Sequence, residues 1–143
     1  MNTTIPSPIT NIAKHQPVDE SINKVSGKIL DSAFKIHKMF GPGLLESAYE
    51  QAMAFDLVKN HGLKVEMQKT LPIMFEECKI DAGYRIDMLV DDSVIVELKA
   101  VEKLAPLHEA QLMTYLRLSG IRLGLLLNFN TKMMKDGIKR IVV

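Results

Sequence analysis

Cysteine is nearly missing from this chain: Cys78 stands alone among 143 residues. No intrachain disulfide can form and a cysteine-built zinc site is disfavoured, which suits a reducing cytoplasm, the expected location. Long apolar runs are missing as well. No stretch approaches the roughly 18 uninterrupted apolar residues of a membrane-spanning helix. The opening "MNTTIPSPITNIAKHQP" lacks the basic start and apolar run of a signal peptide. Nor is there an excess of one charge. A net charge of +1 gives no global argument for a polyanionic partner. Toward the end, however, Arg117, Arg122, Lys132, Lys135, Lys139 and Arg140 are balanced only by Asp136. Such a basic stretch either meets phosphates or is simply a solvated face. No Walker loop, Ser-His-Asp elbow or zinc-ligand spacing is present.

What is there is ordinary globular composition, 47% hydrophobic and 24% charged, in a length that fits one domain with a real core. Residues 1–18 contain three prolines without periodicity and read as a flexible or loosely docked tail before a domain spanning 19–143. Ile22, Val25, Ile29, Ala33 and Ile36 recur at helical spacing and predict a helix over 19–39, stopped by "FGPG". A second helix is expected over 44–60, closed by Gly62. "LKVEMQKTLPIMFEE" alternates like a strand, with Pro72 marking an edge or a break. Strands over 84–90 and 94–99 follow, then a helix over 104–118, a strand in "IRLGLLLNF" and a short one in "IKRIVV". The order ααβββαβ(β) predicts an α/β (α+β) domain with one helical crossover.

The hairpin "RIDMLVDDSVIVELK" carries the chemistry. A two-residue turn would mix apolar and charged side chains on one face. A three-residue loop, Asp91-Asp92-Ser93, pairs Val90 with Val94, Met88 with Val96 and Ile86 with Leu98 on a wholly apolar face. The other face then pairs Leu89 with Ile95, Asp87 with Glu97, and Arg85 with Lys99. Like charges placed opposite each other are destabilising, and two adjacent carboxylates do not both ionise without help. A shared proton, a neighbouring cation or a bound metal ion supplies that help. Lys99 lies on the same face, and the remaining charge suits a hard divalent ion with oxygen ligands, Mg²⁺ or Mn²⁺. The competing reading is a solvent-exposed ion-pair ladder, but Leu89 and Ile95 on that face argue for a cleft.

Asp87, nine residues, then Glu97-x-Lys99 resembles the core motif of the PD-(D/E)XK nuclease superfamily. "GLLESAY" at 43–49 is similar to the signature of the GxxExxY family within it, through Gly43, Glu46 and Tyr49. "HEAQLMTYL" at 108–116 resembles the helix motif of RecB-like exonuclease domains. The resemblance covers about residues 20–143, and Ile86 stands where the motif has Pro. It implies a central mixed sheet flanked by helices, a restriction-endonuclease-like αβββαβ core with an extra N-terminal helix. It also implies metal-dependent hydrolysis of nucleic-acid phosphodiesters, DNA ahead of RNA. Asp87 and Glu97 would ligate the ion, with the Leu98 carbonyl and Glu46 as further ligands. Lys99 would orient or deprotonate the attacking water and offset transition-state charge. A homodimer or a larger nuclease assembly is a further implication by analogy.

Two helical stripes flank this centre. His108, Gln111 and Tyr115 are spaced i, i+3, i+7. Gln111 suits a phosphate or a metal-bound water, and Tyr115 either positions the nucleic-acid backbone or is a core aromatic. Glu46 and Tyr49 are i, i+3 on the second helix, where an acid near the helix start is favoured by the dipole whatever its function. Two other classes of function stay open at this point. One is the same fold, catalytically weak or inactive, binding nucleic acid or a protein partner. The other is an interaction domain whose acids pair with Arg85 and Lys99.

Overall fold

The computed structural model of the chain describes residues 16–143, with the backbone alone at residues 81–83. Most of the expected tail, residues 1–15, therefore lies outside the described residues. Its last part is docked: Arg122 donates to the carbonyls of Gln16 (3.0 Å) and Pro17 (3.1 Å).

Helix α1 runs Glu20–Phe40, opened by the Asp19 carboxylate accepting Ser21 N–H at 2.8 Å. Its stripe of Val25, Ile29, Ala33 and Ile36 is buried, as the periodicity predicts. Helix α2, Glu46–His61, ends at Gly62 in the left-handed conformation. Three antiparallel strands follow: β1 (Val65–Phe75), β2 (Cys78–Val90) and β3 (Val94–Lys99). Helix α3, Pro106–Ser119, crosses over to β4 (Leu123–Asn128), which lies parallel to β3. A 3-10 turn, Met134–Gly137, leads into the antiparallel β5, Ile138–Val142. The sheet order is β1-β2-β3-β4-β5. The expected mixed sheet flanked by helices is what forms. Among the described residues no helix is long and apolar enough to cross a membrane.

Two apolar layers sandwich the sheet. Met88, Val90, Val94, Val96, Leu98, Leu123, Leu125 and Leu127 pack with the stripes of α1 and α2. Leu89, Ile95 and Leu126 pack with Leu112, Tyr115 and Leu116 of α3. β4 is buried along its whole length because both its faces are covered. Pro72 sits where the β1–β2 register shifts, on the edge strand, where a missing N–H costs least.

β2 begins at Cys78, six residues before the sequence predicts, since Cys78, Lys79 and Ile80 carry no strand pattern of their own. Pairing with Phe75, Met74 and Ile73 on the neighbouring strand makes them extended. Helix α3 starts at Pro106, whose absent N–H falls where no intrahelical bond is due.

One glycine here is required by space. A Cβ at Gly137 would collide with the backbone carbonyl of Asn128. Gly137→Ala is therefore expected to destabilise the fold by about 1–3 kcal/mol. A lowered denaturant midpoint with unchanged slope is the readout.

Candidate functional site

The hairpin takes the predicted register only in part. Val90 pairs with Val94, Leu89 with Ile95 and Met88 with Val96, across the Asp91-Asp92-Ser93 loop. Asp91 and Asp92 hold φ of 53° and 54°, a region Asp tolerates better than most residues. Beyond Met88 the backbone pairing stops. The expected pairs Asp87–Glu97, Ile86–Leu98 and Arg85–Lys99 are not made. Ile86 turns to the opposite layer and packs with the α3 cluster. On the other side of β2, Gln68 of β1 takes φ of 50°, between the pairs Met67–Met88 and Lys69–Ile86. A kink at Asp87 and Gln68 thus opens the sheet where charge is concentrated, as irregularities in strands near functional sites often do.

The acids fill that opening. Glu97 Oε2 accepts Asp87 N–H at 2.7 Å, and Asp87 Oδ2 accepts Leu98 N–H at 2.9 Å. Side-chain carboxylates thereby replace the main-chain ladder between β2 and β3. Glu97 is only 8% exposed, and burial together with the Asp87 charge pushes its carboxyl up to about 8. Burial also raises Asp87, against the bonds from Leu98 and Gln68 and the nearby Lys99 charge, which pull the other way. Lys99 makes no ion pair within 4.0 Å among the described residues, so its ammonium compensates at a distance and is left available. Its backbone is pinned: Phe129 N–H donates to the Lys99 carbonyl at 2.9 Å. The Asn128 amide brackets Val101 through both its oxygen (3.1 Å) and its nitrogen (2.9 Å).

Leu98 sends its N–H toward β2. In an extended strand a residue's carbonyl points the same way as its N–H, so the Leu98 carbonyl also faces Asp87.

Helix α2 brings two more carboxylates. Glu46 Oε2 accepts Ala100 N–H at 3.1 Å, fixing the helix start against the end of β3. Tyr49 and Gly43 explain that placement. Gly43 has φ of 110°, which a side chain strongly disfavours, and lets the chain turn from α1 into α2. The Tyr49 hydroxyl donates to the Gly41 carbonyl (2.5 Å) and accepts from Leu44 N–H (3.1 Å). Its ring stacks on Phe129 at 4.4 Å. Gly43 and Tyr49 therefore build the turn, and Glu46 is the member of that motif that reaches the site.

Glu50 is the residue the sequence reading misses. It is 8% exposed, and both its oxygens accept from Gln68 Nε2, at 3.0 and 2.8 Å. The same nitrogen lies 3.3 Å from Asp87 Oδ1. Burial raises the Glu50 carboxyl, with Asp87 and Glu46 adding to the effect. The signal was available: Glu50 falls in the stripe of Tyr49, Met53, Ala54 and Leu57, where an acid is out of place. Gln68 gave no such signal, being one polar residue among several on an edge strand. Its amide ties two acids together. Gln68→Ala is expected to lower stability by about 1–3 kcal/mol by stranding Glu50. The loss should be larger near pH 8 than near pH 5, since a raised carboxyl is charged only at higher pH; denaturation at the two pH values checks it.

From the other layer, Tyr115 is buried, and the Glu97 and Asp87 charges act on its phenol, which burial first of all pushes up. Gln111 lines a cleft of about 200 Å³ with Tyr84, Leu107, Ala110, Thr114 and Tyr115. His108 does not join them: its Nδ1 accepts Ala105 N–H at 3.0 Å and serves the helix start.

The structure thus gathers Asp87, Glu97, Leu98, Lys99, Glu46 and Tyr115 around one opening, adds Glu50 and Gln68, and sets Gln111 in the adjoining cleft. Among the described residues no three His, Cys, Asp or Glu side chains already converge on one point. Each acid instead rests on an N–H donor. The donor chemistry, carboxylates and a backbone carbonyl with too little positive charge among them, still fits a hard divalent ion. Chelation of a wrong, softer metal is disfavoured because neither thiolate nor imidazole is at hand.

Compared with curated proteins, the chain matches none. Among solved structures it is similar to that of SSO0001, with 20% identity and a TM-score of 0.44, over 83% of this chain and 60% of that one. The chain thus spans less than two thirds of that protein. A family model, that of the PD-(D/E)XK nuclease superfamily, matches residues 23–141, nearly the whole described fold. With Asp87, Glu97 and Lys99 brought together at the end of a β-hairpin inside that match, the chain belongs to the PD-(D/E)XK nuclease superfamily.

Proposed function

We propose that this protein hydrolyses phosphodiester bonds of nucleic acid, DNA in preference to RNA, with Mg²⁺ or Mn²⁺, and that it is of the GxxExxY kind within its superfamily. One observation carries the reading: the carboxyl groups of buried Glu97 and half-buried Asp87 take over the strand bonding between β2 and β3, without an ion-pair partner within 4.0 Å among the described residues and with the unpaired Lys99 nearby. A protein does not keep such a pair for stability, because apolar residues of similar size would cost less. Strain of this type marks sites with a task.

Asp87 and Glu97 would hold the ion, with the Leu98 carbonyl and Glu46 completing the set and Glu50 within reach through Gln68. When bound, the ion lowers the pKa of a coordinated water and polarises the phosphoryl oxygens. Lys99 supplies a fixed positive charge where negative charge grows in the transition state. Its ammonium also orients the attacking water by donating to it, as a site with three N–H donors and no competing carboxylate contact allows. Gln111, in the adjoining cleft, offers an amide to the substrate. Tyr115 flanks the opening from the α3 side, where its phenol can position the nucleic-acid backbone. These roles rest on the positions described above and on the superfamily's usual dependence on divalent metals.

The test is incubation of single-stranded and duplex DNA and RNA with the full chain, with Mg²⁺, with Mn²⁺ and with a chelator. Cleavage that needs the ion supports the proposal. Absence of cleavage on all four substrates, in protein shown to be folded, overturns it.

A further inference from the structure

The cleft beside the acids has a lining unlike that of a phosphate site. Tyr84, Leu107, Ala110, Gln111, Thr114 and Tyr115 enclose it, and no lysine or arginine is among them. Two tyrosines form its floor, edge to face, with ring centroids 5.4 Å apart and planes at 62°. Tyr115 is buried, while Tyr84 stays 40% exposed, so one aromatic surface is held by its partner and still open to a ligand. Thr114 spends its hydroxyl on the Ala110 carbonyl at 3.0 Å. The Gln111 amide has no protein hydrogen-bond partner among the described residues and can both donate and accept at the cleft. The Glu97 and Asp87 charges reach the Tyr115 phenol, so the cleft adjoins the carboxylates.

We propose that this cleft seats a nucleobase from a nucleotide flanking the scissile phosphate, stacked on Tyr84 with its edge toward Gln111. The inference rests on the nuclease reading above and makes it narrower. A flat, weakly polar ligand with one hydrogen-bonding edge matches an aromatic floor and a single amide. A phosphate does not, because the cleft offers it no cation. Aromatic stacking is the usual way in which a protein grips an unstacked base without strong sequence preference. A base paired within a duplex keeps its faces covered by its neighbours. The substrate therefore presents an unpaired nucleotide at this point: a single strand, a frayed end or an extruded base. Tyr84 becomes a substrate-binding residue, and it follows neither from the acids nor from the helix motif.

The experiment compares kcat/KM for a set of single-stranded oligonucleotides in which each base in turn is replaced by an abasic sugar. Wild type, Tyr84→Ala and Tyr84→Trp are measured side by side with Mn²⁺. Tyr84→Leu, which keeps apolar bulk without a ring, replaces the alanine variant should that one melt early. The expected result is an abasic penalty of about tenfold at one position next to the cut in wild type. That penalty disappears in Tyr84→Ala and returns in Tyr84→Trp. Equal abasic penalties in wild type and Tyr84→Ala overturn the base-seating inference while leaving the nuclease reading in place. Wild-type protein that cleaves neither these oligonucleotides nor the duplex and RNA substrates named above overturns the nuclease reading itself.

Discussion

Asp87→Asn and Lys99→Ala are each expected to lower kcat/KM for metal-dependent cleavage by roughly 10²–10³-fold or more. The asparagine variant is the informative one. Its side-chain oxygen can still accept Leu98 N–H, the bond that closes the gap between β2 and β3 at 2.9 Å. The fold is kept while the charge is removed, so lost activity reports chemistry and not collapse. Lys99 makes no ion pair within 4.0 Å among the described residues, so its removal breaks none. A lysine acting on the transition state costs kcat when removed; one that only assists substrate binding would cost KM. The loss is expected in kcat. The Asp87→Asn, Lys99→Ala double variant should be little worse than either alone, because residues that work as one unit do not add. Near-normal cleavage by either single variant would place the chemistry elsewhere. Steady-state cleavage of one labelled oligonucleotide, with melting curves of each protein, decides it.

Glu97→Gln is expected to make the protein more stable above pH 8 when no divalent ion is present. The sign follows from the direction of the shift. The folded Glu97 carboxyl titrates near 8, whereas an ordinary glutamate titrates near 4.5. Between those values the folded state holds a proton that the unfolded chain has released. Stability is therefore full below about pH 4.5 and falls as pH rises through about 8. The full effect is on the order of a few kcal/mol, large against a total of about 5–15 kcal/mol. Glutamine keeps an oxygen for Asp87 N–H, which Glu97 holds at 2.7 Å, and carries no charge to bury. The wild-type slope should flatten in the variant, leaving a remainder from Asp87 and Glu50, whose carboxyls are raised as well. Adding Mn²⁺ should stabilise wild type at high pH and do far less for Glu97→Gln, since the ion binds the deprotonated acid. Urea denaturation with a chelator at about pH 5 and about pH 8.5 makes the comparison. Parallel pH slopes in the two proteins would contradict it.

The two predictions share a cause, carboxylates held where opposite charge is scarce, and that feature governs how much of the site the sequence reveals. The hydrophobic period places α1, β3, β4 and the crossover helix, because each buries a regular stripe or face. The Asp91-Asp92-Ser93 loop and three of the hairpin pairs follow from keeping one face apolar. The same rule fails at Asp87. It continues the ladder through Ile86 and Leu98, whereas the chain kinks there, moves Ile86 to the other layer and closes the gap with carboxylates. A rule built on burial cannot foresee a place where polar side chains take over the strand bonding.

Glu50 and Gln68 escape for a related reason. They meet only once α2 lies across β1, through a contact between residues 18 positions apart, 2.8 Å long at its shortest. The "GLLESAY" stretch stands out in the sequence, yet the division of labour within it does not. That Gly43 and Tyr49 form the turn while Glu46 reaches Ala100 appears only in three dimensions. His108 shows the opposite case. It shares a helical stripe with Gln111 and Tyr115, but its position three residues after Ala105 gives it a local partner first.

The most direct test of the central claim is a crystal structure with Mn²⁺, located by its anomalous scattering. One or more ions are expected in the opening between β2 and β3, with oxygen atoms of both Asp87 and Glu97 at about 2.0–2.6 Å. Crystals well supplied with Mn²⁺ in which both carboxylates still rest on the Asp87 and Leu98 N–H groups, with no ion between them, would contradict it.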